Sequence, residues 1–172
     1  MISLTPSFFV VLLVVMENAA VPTDGKSDRI LGGKKASITE FPSMAFLEHV
    51  KFNGYYSCGA TIISDRWILT AGHCVEGVHA SNVTLKVGSE EKGRGILRRA
   101  SRIIMHEEYI HERDHGLVNI QNDIAVAEVE KPFPLNDFTI KAARLATQET
   151  DIPLGNFVTA VGWGSIGVSI TS

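Results

Sequence analysis

Six short apolar segments, each bounded by turn-forming residues, constrain the fold of this chain more than any other feature. Ser43 to Val50 follows Phe41-Pro42, Ser57 to Ile63 follows Asn53-Gly54, and Trp67 to Thr70 follows Ser64-Asp65-Arg66. Val83 to Val87 alternates through Thr84 and Lys86, Ile96 to Met105 begins after Gly93-Arg94-Gly95, and Ile124 to Val129 precedes Lys131-Pro132-Phe133-Pro134. Short alternating segments at this spacing read as strands, and no long stretch holds a helical period. The pattern predicts an all-β, antiparallel Greek-key barrel or sandwich. A hydrophobic content of 45% in 172 residues is ample for one core.

Beyond the sixth segment the pattern loosens. Pro132 to Asp151 is proline-bearing and weakly periodic, and reads as a connection. Phe157 to Val161 reads as a seventh strand, ending in Gly162-Trp163-Gly164. A strand with no followers has unpaired edges, so it is expected to open a second, incomplete unit.

The N-terminus is different in kind. Phe8 to Met16 is an unbroken apolar run followed by Ala19-Ala20. The run is shorter than the roughly 20 residues a membrane span needs. It fits a secretory signal peptide over residues 1–20, although no Lys or Arg precedes it. No membrane anchor is expected. Val21 to Arg29 is polar and turn-rich, a spacer with nothing to bury. Its last bond, Arg29–Ile30, reads equally as a cleavage point for a basic-specific protease and as plain linker. A secreted chain with two cysteines, Cys58 and Cys74, most simply joins them in one disulfide. The net charge of −3 gives no ground for a nucleic-acid partner.

Two places carry chemistry. Trp67-Ile68-Leu69-Thr70 runs into Ala71-Gly72, then His73 and Cys74. A titratable imidazole thus stands at the end of a strand, beside a residue that can be locked covalently. Asp123, in Asn122-Asp123-Ile124-Ala125, sits where a polar loop enters an apolar strand. By itself an aspartate there is most simply a turn residue. It also has the chemistry to hold a histidine ring through one N–H.

Arg29-Ile30-Leu31-Gly32-Gly33, Cys58-Gly59, Trp67 to Cys74, Asn122-Asp123-Ile124-Ala125 and Gly162-Trp163-Gly164 occur in this order. Together they resemble the trypsin-like, chymotrypsin-fold serine proteases, from about Arg29 to Gly164. The resemblance implies one six-stranded barrel over residues 30–131, a linker over 132–155 and the start of a second barrel over 156–172. It implies His73 as general base, Asp123 as the group that orients it, and Cys58–Cys74 as the disulfide pinning the histidine loop. It implies residues 21–29 as an activation propeptide cut at Arg29–Ile30 by an activating trypsin-like protease. Its products are secreted endopeptidases acting on protein or peptide substrates, with no cofactor and no metal. Leu31, Ala60 and Gly72 are small departures from the family pattern, which favours Val, Gly and Ala there. One departure is large: the Gly-Asp-Ser-Gly-Gly segment that carries the family's nucleophile has no counterpart in these residues. Ser165 comes nearest, with Gly167 after it but Trp163 before it. The oxyanion hole and specificity pocket belong to that same half. The expectation is a partial protease domain, inactive as it stands. The alternative is a non-catalytic secreted homologue acting as a binding or decoy module.

Lesser features read as ordinary surface. His106, His111 and His115 crowd an acidic stretch but lack metal-ligand spacing, and the stretch is expected to be a solvated insertion. Glu90-Glu91 offers too few oxygens for calcium. Lys92, Arg94, Arg98, Arg99 and Arg102 form a basic run expected on a solvated hairpin. Asn82-Val83-Thr84 fits the N-glycosylation pattern.

Overall fold

The computed structural model describes residues 34–51, 54–114, 117–147 and 157–164. Among the described residues eight strands form: β1 (Met44–Lys51), β2 (Gly54–Ile62), β3 (Trp67–Thr70), β4 (Val83–Val87), β5 (Ile96–Met105), β6 (Ile110–Asp114), β7 (Leu117–Gln121) and β8 (Ala125–Val129). Six of them close into an antiparallel barrel in the order β1-β2-β3-β8-β5-β4, with β4 pairing back onto β1. The expected six-strand barrel is therefore the fold.

Closure depends on β5. Its first half, Ile96 to Arg99, pairs with β4, while Ala100 to Met105 pairs with β8. The register shifts between Ala100 and Arg102, the bulge that lets one strand bend from one partner to the other. The turn into β5 needs Gly95, whose φ is +110° and whose added Cβ would run into the Val87 carbonyl.

The interior follows the period of two. Ala45, Leu47, Ala60, Ile62, Ile68, Val83, Leu85, Val87, Ala125, Ala127 and Val129 are all buried. Cys74 and Val75 join this core from the loop after β3. Phe133 and Ile140 join it from the segment after β8. That segment, expected to be connection only, is tied to the barrel by backbone hydrogen bonds from Phe133 to Asp65, Lys141 to Pro42 and Ala143 to Ile62.

Three further differences have physical reasons. β2 begins at Gly54 and not Ser57, because Tyr55 and Tyr56 are good strand formers and β1 is long enough to pair with them. The polar stretch before Asp123 forms a separate hairpin, β6 on β7. Phe157 to Val161 takes no ladder pairing among the described residues. A strand exists only with a neighbour to bond. What holds this region is Trp163, whose Nε1–H donates to the Glu90 carbonyl at 2.9 Å and whose ring meets Phe46 edge-on at 5.5 Å.

Two polar side chains are buried among the described residues, Thr70, whose Oγ1 donates to the Gly59 carbonyl at 2.9 Å, and His49. His49 is 6% exposed, stacks on Tyr56 at 5.3 Å, and has no hydrogen-bond partner at Nδ1. Burial, helped by the Lys51 charge and opposed by the Cys74 backbone, holds its pKa below the ordinary 6.5. The unfolded chain therefore takes up this proton first as pH falls. Stability attributable to His49 should be complete above about pH 6.5 and decline below it, by at most about 1.4 kcal/mol per pH unit. Urea titrations between pH 5 and 7 should show a shallower decline in His49→Phe than in the parent. Equal slopes would refute the assignment.

Candidate active site

One register pair explains how His73 and Asp123 meet across fifty positions of sequence. Thr70, the last residue of β3, is paired with Ala125, the first of β8. His73 lies just beyond one strand end and Asp123 just before the other, so both reach the same rim of the barrel. The chain leaves β3 through Ala71, still extended at φ −78° and ψ 146°, and makes one 3-10 turn, Gly72–Cys74. A disulfide joins Cys74 to Cys58 of β2, with Cα atoms 6.2 Å apart. Cys74 and the following Val75 are buried while His73 is exposed, so the turn is clamped and the imidazole presented.

Asp123 is aimed by the residue before it. Asn122 adopts φ +50°, a region asparagine tolerates better than most side chains. Its side-chain amide donates to the Glu108 carbonyl at 2.8 Å. Both oxygens of Asp123 then engage His73. Oδ1 accepts from the His73 backbone N–H at 2.8 Å, and Oδ2 lies 2.7 Å from Nδ1. The two-point grip fixes the ring orientation as well as its place. With Nδ1 carrying the proton toward the carboxylate, Nε2 is left as a base. Nε2 lies 3.5 Å from Cys74 Sγ, and a disulfide sulfur has no proton to give, so the base lone pair is not consumed. The imidazole is 48% exposed and Asp123 26%. This geometry is what a positioned general base requires, with the ring open on one side.

Cys58, His73 and Cys74 also bring ligand-type atoms within 4.8 Å of one another. The sulfurs are bonded to each other, so they are not thiolate ligands.

The strongest residue missed by sequence is Tyr109. Its ring lies where a side chain at position 72 would go: a Cβ on Gly72 would stand 2.8 Å from Tyr109 Cδ2 and 3.3 Å from Asp123 Oδ1. The departure from Ala to Gly at position 72 thus has a structural counterpart. The Tyr109 hydroxyl is buried without a hydrogen-bond partner of ordinary geometry. Burial first, then the Glu76 and Asp123 carboxylates, push its pKa up to about 12. No spacing signal in the sequence marks it.

The histidine stretch does not converge. His111 Nδ1 pairs with Glu76 Oε2 at 2.7 Å, fastening β6 to the loop after His73, and Lys51 Nζ donates to the Glu76 carbonyl at 2.9 Å. His106 instead accepts from the Glu108 backbone N–H. His115, Arg29, Ile30 and residues 1–20 lie outside the described residues.

The trypsin family model matches residues 30–170. Trypsin zeta of Drosophila erecta is 37% identical over 80% of this chain and 49% of that protein. A trypsin of Phaedon cochleariae is 33% identical over 79% of this chain and 50% of that protein. Among solved structures, the scabies mite inactivated protease paralogue S-D1 aligns with a TM-score of 0.62 at 30% identity, covering 72% of this chain and 49% of the other. The chain spans about half the length of the relatives it matches.

The contact between Gly72 and Tyr109 is open to a double-mutant cycle. Gly72→Ala should destabilise by about 1–3 kcal/mol through overpacking. In a Tyr109→Ala background, itself costing about 3–5 kcal/mol, the same change should cost close to nothing. Chemical denaturation of the four proteins reads the coupling. Additivity within about 0.5 kcal/mol would show that the ring does not occupy that space.

Proposed function

Because the chain belongs to the trypsin family of serine proteases, we propose that it supplies the base-and-orienter half of a serine endopeptidase site. The observation that carries the reading is the two-point grip of Asp123 on His73, at 2.8 and 2.7 Å. In that role His73 Nε2 takes the proton of an attacking serine hydroxyl and later gives it to the leaving amine. Asp123 holds the productive tautomer and stabilises the imidazolium. The disulfide Cys58–Cys74 keeps the histidine turn rigid, so the base does not drift from its acceptor.

Acyl transfer needs a nucleophile as well. The 172 residues contain no serine with glycine two places before and two after. We therefore read these residues, by themselves, as unable to hydrolyse peptide bonds. Loss of the nucleophile alone costs on the order of 10⁶ in kcat. The rest of the reading follows the family: export directed by residues 1–20, a zymogen opened at Arg29–Ile30 by another trypsin-like protease, and protein substrates. A second reading, a non-catalytic binding module, is favoured by the exposed apolar side chains Tyr55, Phe138, Leu145 and Phe157.

Two measurements test the proposal on the 172-residue chain. Nitrogen NMR should find the neutral His73 ring protonated at Nδ1, with that preference weakened in Asp123→Asn. A ring protonated mainly at Nε2 in the parent would remove His73 as the base. A fluorophosphonate probe should leave the chain unlabelled, and arginyl ester hydrolysis should match that of His73→Ala. Labelling, or hydrolysis above that control, would overturn the claim of inactivity.

A further inference from the structure

We propose that Asn82 is a site of N-linked glycosylation, modified before the barrel closes around β4. The inference rests on the exported reading given above.

Asn82 is the last residue of a 3-10 turn, Ala80–Asn82, directly ahead of β4. The turn is set from within: His79 Nδ1 accepts from the Ser81 backbone N–H, and Asn82 N–H donates to the His79 carbonyl. These bonds engage the backbone of Asn82 and leave its side chain in solvent. The residue is exposed, as are His79 and Ser81, and its side-chain amide has no partner among the described residues. An asparagine with no structural duty, in an Asn-Val-Thr sequence, is a chemically competent acceptor. The Cys58–Cys74 disulfide is an independent sign that the chain matures under oxidising conditions, the conditions of the compartment where such transfer occurs.

The transfer forms a bond from Asn82 Nδ2 to the anomeric carbon of an oligosaccharide carried on a lipid diphosphate. The bond from that carbon to the phosphate oxygen breaks, and the lipid diphosphate leaves with its electron pair. One Nδ2 proton passes to a base of the transferase.

The order of events comes from the other two residues of the motif. Val83 is fully buried, and Thr84 Oγ1 donates to the Glu48 carbonyl of β1 at 3.5 Å. A transferase that reads the threonine hydroxyl together with the asparagine needs all three residues extended and free. In the folded barrel none of them is both: Asn82 is exposed but wound into the 3-10 turn, and Val83 and Thr84 are extended but docked on β1. The pairing of His49 with Val83 and Glu48 with Thr84 therefore closes the acceptor once β4 docks on β1. The product has room: around the ring β4 stands opposite β3, so the oligosaccharide lies across the rim from the strand that leads to His73.

The test is expression of the full chain in secreting insect cells, followed by enzymatic deglycosylation and peptide mass spectrometry. The exported chain should shift on deglycosylation, with Asn82 as the carrier. Asn82→Gln and Thr84→Val should abolish the shift, and Thr84→Ser should keep it. In a cell-free assay with a lipid-linked oligosaccharide and purified transferase, the reduced, unfolded chain should be modified and the native chain should not. An exported chain with unmodified Asn82 overturns the site while sparing the export reading. A chain retained in the cytosol and unmodified overturns both. Equal modification of native and unfolded chains overturns the order.

Discussion

Closure of the six-stranded ring is the constraint from which the rest of the structure follows. A sheet of this length with open edges would leave a row of unpaired backbone groups on β1 and β4. Here β4 returns to β1 through five register pairs, from Ala45↔Val87 to His49↔Val83, and the edges disappear. Closure also sorts the loops. β3 ends, β4 begins, β5 ends and β8 begins at one rim, so the segments between them crowd there: the histidine turn, the Asn82 turn, Tyr109 and Asp123. The His73–Asp123 pair and the bonds that pin it share a rim because the strand order places these strand ends together.

At that rim the electrostatics are handled locally. Asp123 is only partly exposed, and a carboxylate in that position is costly without donors. It receives two from one residue, the backbone and the ring of His73. Glu76 is answered by His111 in the same way, a second carboxylate–imidazole pair that ties the β6–β7 hairpin to the loop after His73. Tyr109 is the exception. Its hydroxyl is buried beside two carboxylates, and its ring fills the space against Gly72.

The parts of this arrangement that were legible in sequence are those with a strict period or a covalent partner. Val83 to Val87 and Trp67 to Thr70 have the predicted bounds because each alternates buried with half-buried positions along its whole length. The Cys58–Cys74 bond was implied by there being two cysteines. The β6–β7 hairpin was not legible. β7 is exposed at every position, so no burial imposes a period of two, and its polar residues resemble a loop. Phe133 and Ile140 were hidden for the opposite reason: they are isolated core residues in a segment of prolines and polar side chains, with no pattern around them. For the site, His73 stood out by type and context and Asp123 only through the family resemblance, while Tyr109 acts through shape, which sequence spacing does not encode.

The chain's two tryptophans sit in separate mechanical compartments, which makes them separate optical probes. Trp67 is built into β3, on the barrel wall, with the Arg102 guanidinium 5.1 Å from its ring centre. Trp163 belongs to the segment 157–164 and touches the barrel through Phe46 and the Glu90 carbonyl. Emission from one tracks the integrity of the ring, and emission from the other tracks whether the segment 157–164 is seated on it. The same molecule can thus report, without any label, whether its barrel and its downstream segment come apart together or in sequence.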